Sequence, residues 1–534
     1  MVKYYFKLAI IFMAISSLSA QETQYEVELV PFEIPQLGGL QSYAFGTYEN
    51  DWLIIGGRLD GLHRRQPFAS FDEAGNNKEI IVANPASQEV WKYPLAALPA
   101  NLRKQFSSTN IQFYQDEDYL ILTGGYAYSP SVGDHITFPY LTILHIPSLI
   151  EQVKSGQVDA NTILQSEHEN FRVAGGSLAK IEDTYYLVGG NKFMGRYNPM
   201  GPNHGPGFIQ EYTNEVRKFK VDLDNPETVE FFPPIHDERH LHRRDYNLLP
   251  FIYQGEYGLM AYSGVFQPTA DVPWLYPVYI EDEGITPYES FSQYFNHYHC
   301  ASLPIYNEAS QSMNTIFFGG IAQFYKDNDL LVQDNDVPFV TTIASVSMDK
   351  EGNLNEQVLN TEMPDLLGAS SEFIFTDDAV IFEDGILDGD ELDDAFKHIG
   401  YIYGGIKSSL PNIFFINTGT ESTATNTIFK VMVKRVETTQ TQDLDAEDLS
   451  LLIYPNPAQN FVKMSVELEE KQDVEITIFD SLGQQVHSVK YDKQGLSIGM
   501  NYLTLDKVNI NYGAYLYRIK IGTQIINRRV IWSE

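Results

Sequence analysis

The sequence predicts an all-β fold, in which a six-bladed β-propeller is followed by a small antiparallel β-sandwich. Three observations predict it. The 534 residues include 34 Tyr and 32 Phe, residue types that favour strands. Glycine doublets recur at the ends of apolar runs along most of the chain. Near the C-terminus apolar and polar residues alternate, at Val474, Ile476 and Ile478 and again in YLYRIKI (515–521).

Composition excludes several classes of protein. A hydrophobic content of 43% is too high for a disordered chain, and domains of roughly 100–200 residues predict two or three in this length. The formal net charge of −35 repels nucleic acid and anionic membranes. The single cysteine, Cys300, excludes an intrachain disulfide and a cysteine-based zinc site. No nucleic-acid partner is expected, and a soluble extracellular protein fits this charge.

Residues 1–20 predict a secretory signal peptide. Lys3 and Lys7 form a charged start, residues 8–18 form a short apolar run, and Ser19 and Ala20 are small residues suited to cleavage. The run is shorter than the roughly 20 apolar residues of a membrane-spanning helix. No cysteine follows the cleavage site, so a lipoprotein anchor is not expected. No other long apolar run occurs, which predicts a mature chain without a transmembrane segment.

A repeat of 56 to 85 residues runs through the chain, marked by a glycine doublet after an apolar run. The copies are WLIIGG (52–57), YLILTGG (119–125), YYLVGG (185–190), IFFGG (316–320), YIYGG (401–405) and the weaker LMAYSG (259–264). A doublet suits a strand end where the backbone turns with positive φ or packs without a Cβ. Strand repeats of this period predict propeller blades.

Each copy contains the same parts. A strand is predicted before the doublet strand, at 40–48, 109–114, 176–181, 246–253, 300–306 and 371–375. A third strand is predicted after it, at 79–85, 140–147, 215–222, 274–282, 341–349 and 426–436. A fourth follows in most copies, at 89–95, 227–234, 284–289 and 355–359. Sheets of this kind are apolar on both faces, and radial packing around an axis buries both.

The sixth blade lacks a fourth strand, because an acidic segment follows Val436. Residues 25–32 precede the first blade and alternate like a strand. We therefore expect this N-terminal segment to complete blade six and close the ring, which gives a propeller over residues 21–436.

The repeat resembles the kelch repeat, in which an apolar run, a glycine doublet and a strand precede a strand that bears a tryptophan. Trp91 is the best match for that tryptophan, and most other blades lack one, so the resemblance is to a divergent kelch-like propeller. It implies a β-propeller fold over residues 21–436. Kelch relatives include binding proteins, sugar epimerases and carbohydrate oxidases.

Residues 437–450 contain five acidic residues and no base, which predicts a flexible linker. Residues 451–534 closely resemble the C-terminal sorting domain of the type IX (Por) secretion system of Bacteroidetes. The matching residues are Tyr454, Pro455, Asn456, Pro457, Asp480, Gly483, Gly513, Tyr515, Arg528 and Arg529. The resemblance implies export to the periplasm, then passage through the type IX machinery to the outer-membrane surface or the medium. An adhesion-type sandwich is the alternative interpretation.

Eight of the twelve histidines fall in loops predicted to open on one face of the propeller. Three stretches there, 61–67, 238–247 and 296–302, contain histidine, and the first two also contain an arginine pair. The candidate ligand-binding residues are His63, Arg64, Arg65, His240, His242, Arg243, Arg244, Asp245, Tyr246, His297 and His299. Arginine pairs suit a carboxylate, sulfate or phosphate, and imidazoles suit zinc or copper. The alternative is structural, with the arginines satisfying acids such as Asp245 between blades.

Other segments suggest cofactors without identifying one. The acidic loops 327–336 and 383–394 offer oxygen ligands for calcium but lack the EF-hand spacing, and solvated loops are the ordinary interpretation. Cys300 beside His297 and His299 resembles the copper oxidases built on kelch propellers, but no further copper motif matches, which favours a buried inert thiol. The Gly- and Pro-rich segment 191–207 suits a lid-like insertion over the ligand face.

The leading hypothesis is a secreted or cell-surface propeller that binds an extracellular ligand, such as a glycan, through the His/Arg face. One alternative is a carbohydrate-active enzyme of the epimerase or oxidase type on the same face. A second is a protein-interaction scaffold. No catalytic residue can be named from the sequence.

Overall fold

The chain is all-β. The computed structural model describes residues 23–65, 68–197, 208–327, 330–437, 451–454, 458, 461–468, 470–480, 484–507, 511, 513–522 and 524–532. Strands account for 53% of its residues and helices for 6%, which confirms the prediction that the chain is mostly β. The predicted signal peptide, the linker beyond Glu437, the sorting-motif residues Pro455, Asn456, Pro457 and Gly483, and most of the lid-like segment lie outside the described residues.

The strands up to residue 287 are numbered in chain order. The first set is β1 (Thr23–Phe32), β2 (Ala44–Tyr48), β3 (Asp51–Ile55), β4 (Glu79–Asn84) and β5 (Glu89–Pro94). The second is β6 (Thr109–Asp116), β7 (Tyr119–Ser129), β8 (Asp134–Thr137), β9 (Tyr140–His145) and β10 (Leu164–Glu167). The third is β11 (Ser177–Ile181), β12 (Thr184–Val188), β13 (Asn191–Met194), β14 (Ile209–Tyr212), β15 (Glu215–Asp222), β16 (Asn225–Phe231) and β17 (Ile235–His236). The fourth is β18 (Asn247–Tyr253), β19 (Glu256–Tyr262), β20 (Val278–Glu281) and β21 (Gly284–Pro287).

The remaining strands and the helices complete the chain. The fifth set is β22 (Ser302–Asn307), β23 (Ser312–Phe318), β24 (Phe324–Asp327), β25 (Leu330–Gln333), β26 (Ile343–Met348) and β27 (Leu354–Val358). The sixth is β28 (Ala369–Phe375), β29 (Ile381–Glu383), β30 (Ile386–Asp388), β31 (Lys397–Ser408), β32 (Ser422–Ala424) and β33 (Ile428–Glu437). The last is β34 (Leu451–Tyr454), β35 (Phe461–Leu468), β36 (Val474–Phe479), β37 (Gln485–Tyr491), β38 (Gly499–Asp506), β39 (Gly513–Ile521) and β40 (Gln524–Trp532). The helices are α1 (Ala100–Phe106), α2 (Ile146–Ser155) and short 3-10 turns at Glu73–Gly75, Leu95–Ala97, Ala160–Thr162 and Glu169–Phe171.

Within residues 23–437, six open sheets each contain a four-stranded antiparallel meander. In order, the meanders are β2-β3-β4-β5, β6-β7-β9-β10, β11-β12-β15-β16, β18-β19-β20-β21, β22-β23-β26-β27 and β28-β31-β33-β1. Additional strands extend four of them. β13 and β14 join the second sheet through β8, β17 pairs with β15 in the third, and β32 pairs with β31 in the sixth. The hairpin β29-β30 joins the fifth sheet, where β30 pairs in parallel with β22. The hairpin β24-β25 stands apart.

The sixth meander takes its fourth strand from the other end of the chain. β1 pairs antiparallel with β33 over ten residues, from Thr23 opposite Glu437 to Phe32 opposite Ile428. Its side chains alternate in burial, since Tyr25 and Val27 are buried whereas Val30 is exposed. The pairing satisfies a strand edge that β33 would otherwise leave open.

Six clusters of buried hydrophobic side chains lie between successive sheets. One of them lies between the sixth sheet and the first, where Trp52 packs edge-on against Tyr401 with ring centroids 5.2 Å apart. Another includes α2, whose apolar side packs beside the first two sheets. Each sheet therefore buries both of its faces.

The glycine doublets take the conformations that the sequence predicted. All five have positive φ at both residues, and in the weaker sixth copy Ser263 and Gly264 do as well. At Gly124 a Cβ would collide with the carbonyl oxygen of Val173, so close approach of the next sheet adds to the conformational requirement.

The first strands of the six meanders contact one another in chain order, from β2 through β6, β11, β18 and β22 to β28. Six residues just before or within them form what we call the central ring: Ser42, Asn110, Gly175, Asp245, His299 and Ser370. Five backbone hydrogen bonds connect these residues, Asn110 N to Ser42 O (3.3 Å), Asp245 N to Gly175 O (2.8 Å), His299 N to Asp245 O (3.1 Å), Ser370 N to His299 O (2.7 Å) and Ser42 N to Ser370 O (3.2 Å). Residues of all six sheets thus meet at one place.

Residues 451–532 form two antiparallel sheets, β34-β35-β38 and β37-β36-β39-β40, around a hydrophobic core of their own. Val474, Ile476 and Ile478 are fully buried in it, as their alternation predicted. The sorting-motif residues take several positions. Tyr454 ends β34, Asp480 Oδ1 accepts a hydrogen bond from the Gln484 amide, Gly513 begins β39, the buried Tyr515 donates to Asn511 O, and Arg528 and Arg529 lie in β40.

The acidic loops are partly structured. Segment 383–394 contributes Ile386 and Leu387 to the interior through the β29-β30 hairpin, and segment 327–336 contributes β25. Among the described residues, no three or more His, Cys, Asp or Glu side chains are grouped to hold a metal ion. In the same part of the chain, no helix is both long and apolar enough to cross a membrane.

Candidate ligand-binding site

The two adjacent arginines before β18 point in different directions. Arg243 is 1% exposed, and its guanidinium donates to the backbone oxygens of His240, Ser263 and Tyr276. Trp274 lies beneath it, with the guanidinium carbon 5.0 Å from the ring centroid. Burial lowers the pKa of Arg243 to about 10, which leaves it charged at neutral pH. Arg243 therefore has a structural role, because its guanidinium is occupied by backbone oxygens of the protein interior.

Arg244 lies among aromatic rings instead. Its guanidinium carbon is 5.4 Å from the ring centroid of Phe266, 5.9 Å from that of Tyr197 and 6.0 Å from that of Tyr212. The Nε atom is buried and makes no hydrogen bond with the described residues, and Asp245 Oδ2 lies 3.6 Å away. Burial opposes the charge, but the neighbouring Tyr212 and Asp245 raise the pKa of Arg244, so it is a cation.

His63 and His242 flank this arginine as neutral rings. His63 packs against Tyr197 with centroids 4.9 Å apart, and its buried Nδ1 has no partner among the described residues. Burial first, and then the charge of Arg244, lower the pKa of His63 to about 4. His242 stacks on Tyr212 at 3.7 Å, and the same two causes lower its pKa.

We call His63, Tyr197, Tyr212, His242, Arg244, Asp245 and Phe266 the Arg244 cluster. Arg244 supplies one positive charge with a free N–H donor, and the rings around it supply flat apolar surfaces. A guanidinium in such a setting binds a carboxylate, sulfate or phosphate, and rings bind the apolar face of a sugar or another flat group. The donor set suits an anionic ligand with an apolar face.

A cavity of about 270 Å³ adjoins the cluster at Asp245 and is lined by the first strands of the six meanders. We call it the axial cavity. Within it, His299 Nε2 lies 3.1 Å from Glu372 Oε1. Burial would lower the pKa of His299, but the carboxylates of Glu372 and Asp245 outweigh burial and raise it.

The other predicted site residues lie apart from the cluster or in the interior. Arg64 and Arg65 are exposed, and His240 lies between Asp237 and Glu289, each 2.8 Å from a ring nitrogen. Tyr246 and His297 are fully enclosed, with hydrogen bonds to the backbone oxygens of Val188 and Gly319.

Sequence reasoning missed several residues of the cluster and the cavity. Tyr197, Tyr212 and Phe266 lie in segments without His or Arg pairs, and Glu372 lies inside a predicted strand. Two signals pointed toward them: the predicted lid-like segment 191–207, which contains Tyr197, and the aromatic content of the loops on that face. Cys300 is buried, and burial raises its pKa to about 12, so the thiol stays protonated.

Comparisons with known proteins identify the C-terminal part alone. Residues 452–533 match the family model described as secretion system C-terminal sorting domain. This tail implies export through the type IX system and a secreted or cell-surface location. No curated protein matches the chain.

Two solved structures are similar at low identity. One is described as the structure of YjhT, with 11% identity, a TM-score of 0.41, and coverage of 75% of this chain and 99% of that one. The other is described as RAG in complex with one melted RSS and one unmelted RSS, with 12% identity, a TM-score of 0.38, and coverage of 77% and 99%.

Proposed function

We propose that the protein is a secreted or cell-surface six-bladed, kelch-like β-propeller. We further propose that it binds an acidic extracellular glycan through the Arg244 cluster. Arg244 is the observation that carries the binding function: it is a largely buried cation among three aromatic rings, and its Nε makes no hydrogen bond with the described residues.

The propeller rests on three features described above. Six meanders follow one another, their first strands contact in chain order, and hydrophobic clusters lie between all neighbours including the sixth and the first. Radial packing explains how every sheet buries two faces. In this arrangement β1 closes the ring as the fourth strand of blade six.

Ring closure is tested by deleting residues 21–34 from the full chain. We expect the melting temperature to fall by many degrees, because blade six would lose its fourth strand and the hydrophobic contacts of Tyr25 and Val27. An unchanged melting temperature would refute closure.

An acidic glycan fits the cluster for two reasons. The carboxylate of a uronate can accept from the Arg244 Nε, and the rings of Tyr197 and Tyr212 can stack on the pyranose. The protein carries a formal net charge of −35, so a generally anionic ligand would be repelled except where a local cation offsets the field. Specific recognition of an acid therefore depends on Arg244.

Binding is tested by isothermal titration with polygalacturonate and chondroitin sulfate, with dextran as the uncharged comparator. We expect Arg244→Gln to weaken binding of the acidic polymer by about tenfold or more, the worth of a charged hydrogen bond. Arg103→Gln, on the exposed side of α1, is the matched control and should bind like wild type. Equal affinity of wild type and Arg244→Gln, or no affinity for either acidic polymer, would discard the site.

A carbohydrate-active enzyme is a second candidate, favoured by the His299–Glu372 ion pair in the axial cavity. An imidazole held by a carboxylate is an arrangement that general acid–base catalysis uses. Prolonged incubation with the bound glycan, followed by chromatography, tests it. Conversion by wild type that Glu372→Gln loses would support an enzyme, and an unaltered glycan would count against one.

A further inference from the structure

The axial cavity is a second candidate site, and its lining changes along its length. The polar side chains of Asp245, His299 and Glu372 lie at or near the central ring. Phe45 and Phe113, three residues further along their strands than ring residues Ser42 and Asn110, also line it. These two half-buried rings meet at 5.3 Å between centroids, so the cavity has one polar and one aromatic part.

The far end of the cavity is bounded by an element outside the repeat. Asp384 and Gly385, at the turn of the β29-β30 hairpin, are among the lining residues. β30 pairs in parallel with β22, Ile305 opposite Leu387, so the hairpin lies against the first strand of the fifth meander. A ligand would therefore enter from the central-ring end, where His299 and Asp245 are about one-third exposed.

The cavity lining contains the carboxylates of Asp245, Glu372 and Asp384 and one imidazole, that of His299. Glu372 pairs with His299, and Asp245 lies 3.6 Å from the Arg244 Nε. Among the described residues, no Lys or Arg lines the cavity. An anionic ligand would therefore meet carboxylates in the cavity, whereas the hydroxyl groups of a neutral ligand can use the same side chains as hydrogen-bond acceptors and donors.

One further polar group lacks a partner. Gln112 is 2% exposed, lines the cavity, and its Oε1 makes no hydrogen bond with the described residues. Buried polar atoms are nearly always satisfied, so this acceptor indicates a hydrogen-bond donor supplied from outside the chain. The volume of about 270 Å³ lies just below the roughly 300–1,000 Å³ of sites for drug-sized ligands, which indicates a smaller molecule.

We propose that the axial cavity binds a neutral sugar ring of monosaccharide size, in which hydroxyl groups contact His299 and Glu372 and an apolar face packs on Phe45 and Phe113. This site adjoins the Arg244 cluster at Asp245, but its proposed contacts do not include Arg244, and it does not depend on the acidic-glycan function.

The test is titration of the full chain with methyl glucoside, methyl galactoside and methyl mannoside, read by saturation-transfer NMR and calorimetry. Glucuronate and glucosamine are the charged comparators. We expect at least one neutral glycoside to bind, and Glu372→Gln and Phe113→Ala each to weaken it by about tenfold. Glu283→Gln, an exposed acid at the β20-β21 turn, is the matched control and should bind like wild type.

Thermal melting confirms that each variant is folded, and His299→Asn replaces Glu372→Gln if the latter is not. The proposal is overturned if no neutral glycoside binds, if both cavity variants bind like wild type, or if a charged comparator binds more tightly than every neutral one.

Discussion

The hydroxyl of Tyr25 donates to Oδ1 of Asn307 over 3.0 Å, which joins two residues 282 positions apart in the sequence. Tyr25 lies on β1 and Asn307 ends β22, so the bond connects the strand that completes the sixth sheet to the first strand of the fifth. Both side chains are buried, and burial raises the pKa of Tyr25 so that the phenol keeps its proton.

Removal of this hydroxyl should destabilise the fold. Tyr25→Phe leaves the buried Asn307 amide without its partner, at a cost of about 1–3 kcal/mol in the free energy of unfolding. Chemical denaturation of wild type and Tyr25→Phe measures this loss of stability. Tyr48→Phe, at an exposed position on β2, is the control and should change little. A Tyr25→Phe protein as stable as wild type would contradict a role for this bond.

The two sides of β1 should respond differently to a charge. Val27 is 3% exposed and packs in the cluster between the fifth and sixth sheets, whereas Val30 is 37% exposed. Val27→Asp buries an unpaired carboxylate, and we expect a loss of several kcal/mol or failure to fold. Val30→Asp on the same strand should stay within about 0.5 kcal/mol of wild type. Similar melting temperatures for the two variants would show that β1 is not packed as described.

Substitution of Arg243 should lower the stability of the protein, whereas substitution of Arg244 should weaken ligand binding and leave stability nearly unchanged. Arg243→Met removes the donor to three backbone oxygens, of which the Ser263 bond is buried and the other two are partly buried, so it should lower the free energy of unfolding by about 1–3 kcal/mol. Arg239→Met, at an exposed position in the same loop, is its control. Arg244→Gln should melt near the wild-type temperature. If denaturation shows that the Arg244→Gln protein is less stable than the Arg243→Met protein, the structural role belongs to Arg244 and not to Arg243.

Titration of the buried Glu356 should make the free energy of unfolding depend on pH. It is buried in β27, where its oxygens accept from the amides of Tyr294 at 2.7 Å and Phe295 at 3.1 Å. Burial outweighs these two bonds and raises the pKa of Glu356 from 4.5 to about 8.

Between those values the folded protein holds a proton that the unfolded chain has released. The free energy of unfolding therefore falls as the pH rises from 4.5 to about 8, by a few kcal/mol at most, and does not fall further for this reason above that range. Denaturation of wild type and Glu356→Gln across this range measures the difference in slope. Gln leaves one amide unpaired, so the variant is weaker at low pH, but its stability relative to wild type should improve as the pH rises. Parallel slopes would contradict the prediction.

Cys300 should be inert in the folded protein. It is 3% exposed, and burial raises its pKa to about 12, so almost no thiolate forms at neutral pH. A colorimetric thiol reagent should react with it only after denaturant is added, at the rate of unfolding. Prompt reaction of the native protein would indicate that the interior beside β22 opens readily.

The repeat was predictable because strand periodicity and glycine conformation are local. An apolar run followed by two glycines requires a strand end with positive φ, and the five doublets and Ser263-Gly264 adopt it. The alternation of residues 25–32 likewise located β1, and its partner followed from the strand that the last repeat lacked.

The candidate site was less predictable because neighbouring residues in sequence diverge in space. Arg243 and Arg244 are equivalent in the sequence, yet one points to Trp274 and the other to Tyr197 and Phe266. His297 is enclosed in the interior because Phe317, from another segment, stacks on its ring, and the sequence around His297 does not reveal this contact. For segment 383–394 the sequence favours a solvated acidic loop, yet the segment contains β30, because two apolar residues among many acids give no periodic signal.

Because β1 pairs with β33, β1 must wait during synthesis until β33 has been made before it finds its partner. More than 390 residues separate Phe32 from Ile428, so no shorter nascent chain can complete that edge. A translation product that stops before residue 428 would expose an unpaired edge and be open to aggregation or proteolysis. Since residues 452–533 are made later still, a chain that bears the export tail already contains both halves of this pair.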